Sequence, residues 1–234
     1  MNHLITGYGE IGKAVAQIIG EKTIDIIDEG HTAPGPNRRV DILHVCFPYD
    51  DKFVDEVNSY VDTYKPRHTI IYSTVAIGTT VQIPGAVHSP VEGKHPDLAT
   101  SMRLMSRWVG ANDKEEAAFF EGFFAGKGIR PHVVMDSNFT EFLKLRSTSK
   151  YGINLMWTDY EEGVAADLGM PFELINDFDR DYNQLYRTMG LDQYQRYILT
   201  PPNGKIGGHC VVPNAKILGE QYPDDMLKRL GEME

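Results

Sequence analysis

Two stretches of the chain carry residues whose types and spacing can do chemistry. In Asn203-Gly204-Lys205-Ile206-Gly207-Gly208-His209-Cys210-Val211-Val212-Pro213-Asn214, glycines and a proline surround one thiol, and the apolar residues follow neither a helical nor an alternating period. That composition predicts a shaped loop. Paired glycines beside a cysteine let backbone N–H groups and a bound molecule approach the sulfur, as the site of a nucleophile requires. An ordinary turn around an inert, buried thiol fits the same local pattern. The second stretch, Gly7-Tyr8-Gly9-Glu10-Ile11-Gly12, is a G-x-G-x-x-G between an apolar strand at residues 4–6 and a helically spaced run at 11–19. In that setting the first glycine makes a tight turn, the second lets backbone reach a pyrophosphate, and the third lets helix pack on strand, with the helix N-terminus facing the phosphates. Asp28 ends a second strand, residues 23–27, at the distance where a carboxylate binds the ribose hydroxyls of NAD. An acid there repels the extra phosphate of NADP, while Arg38 and Arg39 leave NADP as a minor option. The expected cofactor is NAD, held by Gly7, Tyr8, Gly9, Glu10, Ile11, Gly12 and Asp28.

Composition sets the bounds on this reading. At 234 residues the chain holds one large domain or two smaller ones. A formal net charge of −10 argues against nucleic acid or an anionic membrane as partner. Two cysteines far apart, Cys46 and Cys210, do not make a secreted disulfide framework. The N-terminus opens on a strand rather than a leader, and no apolar run is long enough to span a bilayer. The expectation is a cytoplasmic protein.

The remaining elements must position these groups. After Asp28, residues 29–39 form a Gly/Pro-bearing loop too short for another helix and strand, so the sheet loses one edge and continues at residues 40–47. His44 and Cys46 alternate there as packing residues. A helix at 51–64 and a strand at 68–73 follow. By the logic of doubly wound sheets, the carboxyl ends of these strands line the crevice, which places Phe47, Pro48, Ser73 and Thr74 near the nicotinamide. A strand near Ala86 leads to a loop with His88 and His95, whose spacing lacks a third ligand, so no metal is assigned. Outer strands at 107–110 and 131–135 flank a helix at 114–127. Residues 1–136 are expected to form an NAD-binding Rossmann domain and 137–234 a helical domain carrying the cysteine loop. Asn138 and Glu141 have the spacing of a capping box, and the helix they open runs to Leu168 before Gly169 and Pro171. Lys144, Thr148 and Tyr151 share one of its faces. Apolar residues in 171–189 keep helical spacing, as core or dimer interface. The fold class is α/β: a Rossmann-type, mostly parallel sheet with a smaller helical domain.

Taken together, the glycine fingerprint, Ser73-Thr74-Val75 with Gly78-Thr79-Thr80, Ser89-Pro90, the E-x-x-K of Glu141 and Lys144, and the G-G-H-C at 207–210 occur in the order of one family. The sequence resembles the UDP-glucose/GDP-mannose dehydrogenases over most of its length. The resemblance implies NAD-dependent oxidation of a primary alcohol on a sugar or nucleotide sugar. Cys210 takes the place of the nucleophile that forms a thiohemiacetal and then a thioester, Lys144 that of the lysine at the developing oxyanion, and Thr74 that of a threonine holding water. It also implies a homodimer through the helical region. Asn214 stands where the family has an aspartate, Thr148 where it has an asparagine, and Val91-Glu92 where the acid directly follows Ser-Pro. An amide positions water but cannot take its proton. In the family a nucleotide-binding domain follows the cysteine segment, whereas residues 215–234 are all that follow here. The expectation is therefore a smaller substrate, a site closed by a partner chain, or lost catalysis. Two other readings stay open: a single-step β-hydroxyacid-type dehydrogenase, and a non-catalytic NAD-binding module that regulates a partner.

Overall fold

The computed structural model describes residues 1–20, 24–93, 96–208 and 210–233. Thr23, His95 and His209, which the sequence reading invoked, lie outside the described residues. The chain divides into two compact units, Met1–Leu145 and Arg146–Glu234.

In the first unit the strands are β1 His3–Thr6, β2 Ile24–Ile27, β3 Ile42–Val45, β4 His68–Ile71, β5 Ala86–His88, β6 Arg107–Gly110 and β7 Pro131–Val134. They form one sheet in the order β2-β1-β3-β4-β5-β6-β7. Every pair is parallel except β5–β6. The sheet is therefore of the mostly parallel Rossmann type, and β1 lies between β2 and β3 at the switch point where ligands bind in such sheets. Residues 28–41 cross directly from β2 to β3, so the sheet is shortened on that side.

Short apolar runs form the strands because both faces are covered. Ile5, Ile42, Ile70, Val87 and Val109 face α1 (Glu10–Ile19), α3 (Leu98–Leu104) and α4 (Lys114–Gly126). Leu4, Leu43, Val45 and Ile71 face α2 (Phe53–Tyr64) through Phe53, Val57 and Tyr64. Helices α1 and α2 stop at left-handed residues: Gly20, at φ +62°, ends α1 and returns its N–H to the Ala16 carbonyl, and Lys65, at φ +44°, does the same for α2 to Val61. Asp113 caps α4 by accepting from the amides of Glu115 and Glu116. Helix α3 is an element that the sequence pattern does not predict.

Helix α5, Ser137–Asp167, contains the point of division between the units. Its end follows the sequence: Gly169 at φ +68° and Met170 return their amides to Ala166 and Ala165, as in a Schellman turn. Its start does not follow the capping box. Asp136 accepts from the Asn138 amide at 2.9 Å, which puts Asn138 inside the helix and leaves Glu141 for another task. The second unit adds α6 (Glu173–Thr188), α7 (Val211–Gln221) and α8 (Asp225–Gly231). Ile206, Val212, Ala215 and Leu230 form its core. Gly152 is required there, because a Cβ would stand 2.5 Å from Val211 Cγ1 and 2.8 Å from Leu230 Cδ2.

Candidate active site

The glycine loop has three distinct environments. Gly7 leaves β1 at φ +84°, and a Cβ on it would sit 2.6 Å from the Phe47 amide nitrogen. On Gly12, a Cβ would meet the Gly7 carbonyl oxygen at 2.1 Å and Ile5 Cγ2 at 3.3 Å. Around Gly9, which precedes α1, nothing lies within 4 Å of the Cβ position. The first and third glycines are thus demanded by packing, while the second leaves open space at a helix N-terminus, where unpaired amides and the dipole favour a phosphate. Tyr8 and Ile11 pack against the first core cluster, and Glu10 is exposed in the first turn.

Asp28 ties this loop to β2. Its carboxylate accepts from the Tyr8 amide and, at 2.7 Å, from the Glu29 amide. These bonds, that from Tyr8 foremost, hold its carboxyl below the usual carboxylate range. Each oxygen keeps lone-pair capacity for a ribose hydroxyl. The two arginines are committed elsewhere: Arg38 donates to Asp25 at 2.6 Å and Arg39 pairs with Asp41 at 3.2 Å. The residues present therefore fit a dinucleotide, with Asp28 placed for a ribose hydroxyl.

Along the carboxyl edge a chain of hydrogen bonds joins the next loops. The Ser73 hydroxyl donates to the Phe47 carbonyl at 2.6 Å. His88, fully buried, contacts the Ser73 carbonyl through Nε2 at 3.2 Å and the Thr140 hydroxyl through Nδ1 at 2.9 Å. Since a carbonyl only accepts, this network assigns the proton to Nε2. Burial pushes the His88 pKa down to about 3, so the ring is neutral. Thr74 is half-buried and Pro48 exposed beside these groups. His44 is also buried, in contact with His3 at 2.9 Å, and burial holds the Cys46 thiol far above its ordinary range. Both are packing residues, as expected.

One face of α5 takes hold of the loops. Ser137, Thr140, Glu141 and Lys144 recur at helical spacing. The Ser137 hydroxyl accepts from the Asn112 side chain at 2.7 Å, beyond β6. Glu141 is fully buried and accepts from the amides of Gly78 and Thr80 at 2.6 and 2.7 Å, beyond β4. Burial raises its carboxyl's pKa. Lys144 donates to the Val91 carbonyl at 2.6 Å and lies 3.7 Å from a Glu92 carboxylate oxygen. Val91 itself is in the core, so the acid expected directly after Ser-Pro stands one place later, where Glu92 meets the lysine. Sequence reading missed Thr140 and the holding role of Glu141, although the polar recurrence at 137, 140, 141 and 144 signalled both.

In the second unit, Cys210 is half-buried and precedes α7. The dozen-residue loop is shorter than expected, since residues 211–214 are the first turn of this helix. Pro213 is tolerated there because amides in a first turn have no intrahelical acceptor. The Asn214 amide donates to the Cys210 carbonyl at 3.1 Å, and its side chain donates to the Thr148 hydroxyl at 3.0 Å. The two residues that depart from the family pattern here are thus hydrogen-bonded to each other. Gly204 donates its amide to Asp159 at 2.8 Å, which anchors the loop to α5. No group of three potential metal ligands occurs among the described residues, and no described helix is long and apolar enough to cross a membrane.

No protein-family model matches the chain, and no curated protein matches it in sequence. Solved structures match its fold. A UDP-D-ManNAc dehydrogenase from Pyrococcus horikoshii aligns over 100% of this chain and 68% of its own, with a TM-score of 0.77 and 13% identity. A UDP-glucose dehydrogenase from Pyrobaculum islandicum aligns over 100% and 68%, at 0.70 and 14%. The 3-hydroxyisobutyrate dehydrogenase of Mycobacterium tuberculosis, solved with L-serine, aligns over 99% and 91%, at 0.70 and 11%. Despite such low identity, this chain has the fold these dehydrogenases share.

Proposed function

We propose that this chain is an NAD-dependent dehydrogenase of the UDP-glucose/GDP-mannose dehydrogenase type, oxidising a primary alcohol of a sugar or nucleotide sugar. The observation that carries the reading is the cradle formed by Gly7, Gly9, Gly12 and Asp28 at the switch point. Residues 1–136 hold the cofactor, and 137–234 supply the cysteine and its companions. NAD, when bound, accepts the hydride. Lys144, whose ammonium is oriented by Val91 and Glu92, stabilises the alkoxide that develops on the substrate oxygen. The thiolate of Cys210 adds to the resulting aldehyde carbon, and the thiohemiacetal can lose a second hydride to leave a thioester. Thr74 holds the water that attacks it. Thr148 and Asn214 position this water but take no proton from it, so hydrolysis is the slow step.

The partner is a second copy of the chain. On α6 the buried residues are Asn176 and Asn183, while Leu174, Phe178, Leu185 and Met189 are each more than half exposed. An apolar stripe of that extent is an interface rather than a solvated face, and light scattering reads the resulting mass. Two free thiols suit a reducing cytoplasm.

NADH absorbance, counted per sugar consumed over a panel of UDP- and GDP-sugars, tests the reaction. The expected result is a burst of two NADH per site followed by slow turnover set by hydrolysis, with the second NADH abolished in Cys210→Ser. Full turnover in Cys210→Ser would assign the chain to the single-oxidation, hydroxyacid type. Tight NAD binding with no NADH from any alcohol would make it a binding module.

A further inference from the structure

The loop that follows β5 is held by cations from two sides. On β6, Arg107 is 3% exposed and donates through Nη2 to the Pro90 carbonyl. Its Nε has no hydrogen-bond partner among the described residues. Burial lowers its pKa, and the Glu92 carboxylate and the neutral, buried Tyr72 phenol stand nearby. From α5, Lys144 reaches the next carbonyl, that of Val91, at 2.6 Å and the Glu92 carboxylate at 3.7 Å. Three successive residues, Pro90, Val91 and Glu92, are thereby each engaged by a cation. A guanidinium this deep is costly to desolvate, and an apolar side chain of similar volume serves a core as well. Among the described residues its side-chain hydrogen bond goes to the loop that carries Glu92 to Lys144. A planar fork also fixes a carbonyl more rigidly than a flexible ammonium does.

We propose that Arg107 is a positioning residue: by holding the Pro90 carbonyl it fixes Val91 and Glu92 against Lys144, and so sets how much of the ammonium is engaged by the loop and how much faces a substrate oxygen. The importance of Lys144 for turnover rests on the dehydrogenase reading, whereas the link from Arg107 to Lys144 does not. The first readout therefore needs no substrate. Native protein is acetylated briefly with an N-hydroxysuccinimide ester, and labelling of Lys144 is measured by peptide mass spectrometry against the exposed Lys150. In Arg107→Met, Lys144 labels at least about threefold faster than in the wild type, because its loop partners are released. Arg107→Lys, which keeps a cation, brings the rate most of the way back. If the Met variant does not fold, Arg107→Gln, which retains a donor for Pro90, is expected to label at an intermediate rate. Wild-type labelling in a folded Met or Gln variant overturns the proposal, even if that variant melts earlier. The second readout is kinetic: kcat falls about tenfold while KM for NAD is unchanged. Equal loss in both parameters would mark a structural residue only. A wild type that forms no NADH would defeat the proposed reaction and leave the labelling result decisive for Arg107.

Discussion

The chain contains two glycine-rich loops, and their glycines are there for different reasons. At 7–12, Gly7 and Gly12 are locked by neighbours, since an added Cβ would strike main-chain atoms at 2.6 and 2.1 Å. At 204–208, nothing lies within 4 Å of the Cβ positions of Gly204, Gly207 and Gly208. Gly204 and Gly208 answer to backbone conformation, at φ +78° and +93°, and Gly207 to neither constraint. The first loop is part of the scaffold, so its shape is over-determined. The second is a surface turn at its glycines, shaped by two left-handed residues and held on either side by the Gly204 amide on Asp159 and the Ile206 amide on the Met233 carbonyl at 2.7 Å.

The comparison is broken most forcefully at Gly12. Gly12→Ala pushes α1 off β1 and is expected to cost about 3 kcal/mol or more of stability, with loss of NAD binding, by urea unfolding and a cofactor titration. Acid sharpens the contrast next. His88 is neutral in the folded first unit, with a pKa near 3 against an ordinary 6.5. Below pH 6.5 the unfolded chain binds the proton that the folded chain refuses, so stability present at neutral pH is lost as pH falls toward 3. The loss is about 1.4 kcal/mol per pH unit, or about 2 kcal/mol by pH 5 from His88 alone. His44, also held low by burial, adds to this fall, while the raised carboxyl of Glu141 offsets part of it. Urea unfolding followed by Trp108 in a Trp157→Phe background reports the first unit alone. An unchanged midpoint between pH 7 and 5 would show His88 protonated in the fold. In the second loop the effects are smaller: Gly208→Ala is expected to cost about 1–2 kcal/mol from the left-handed backbone. For Gly207→Ala the change is within about 0.5 kcal/mol, so a large loss of stability there would mean that the loop is packed after all.

What the sequence disclosed follows the same division. The tight glycine turn at residues 7–12 and the strands were legible because each is a local signal, and the mostly parallel sheet because its strands are apolar on both faces. The end of α5 was legible through Gly169 and Pro171. Its start was misread because Asn138 and Glu141 have the spacing of a capping box, yet Asp136 is the cap and Glu141 is drawn to the Gly78 and Thr80 amides. That preference is a tertiary one and leaves no local trace. Pro213 disguised the first turn of α7 as loop, since proline signals a break unless it falls where amides are already unpaired. The seat of Glu92 could not be read either, because it depends on Val91 turning into the core.

The grip of α5 on the loops also bears on how the molecule is made. Asp28 ties the Tyr8 amide across 20 residues, so the glycine turn can close while the chain is still short. Lys144 reaches back 53 residues to Val91, Thr140 52 to His88, and Glu141 63 to Gly78. Those loops obtain their last hydrogen bonds only when every strand of the sheet has left the ribosome and the first turns of α5 have followed. A nascent chain therefore closes its glycine turn early and the far rim of the sheet late, and no half-made copy presents the finished edge.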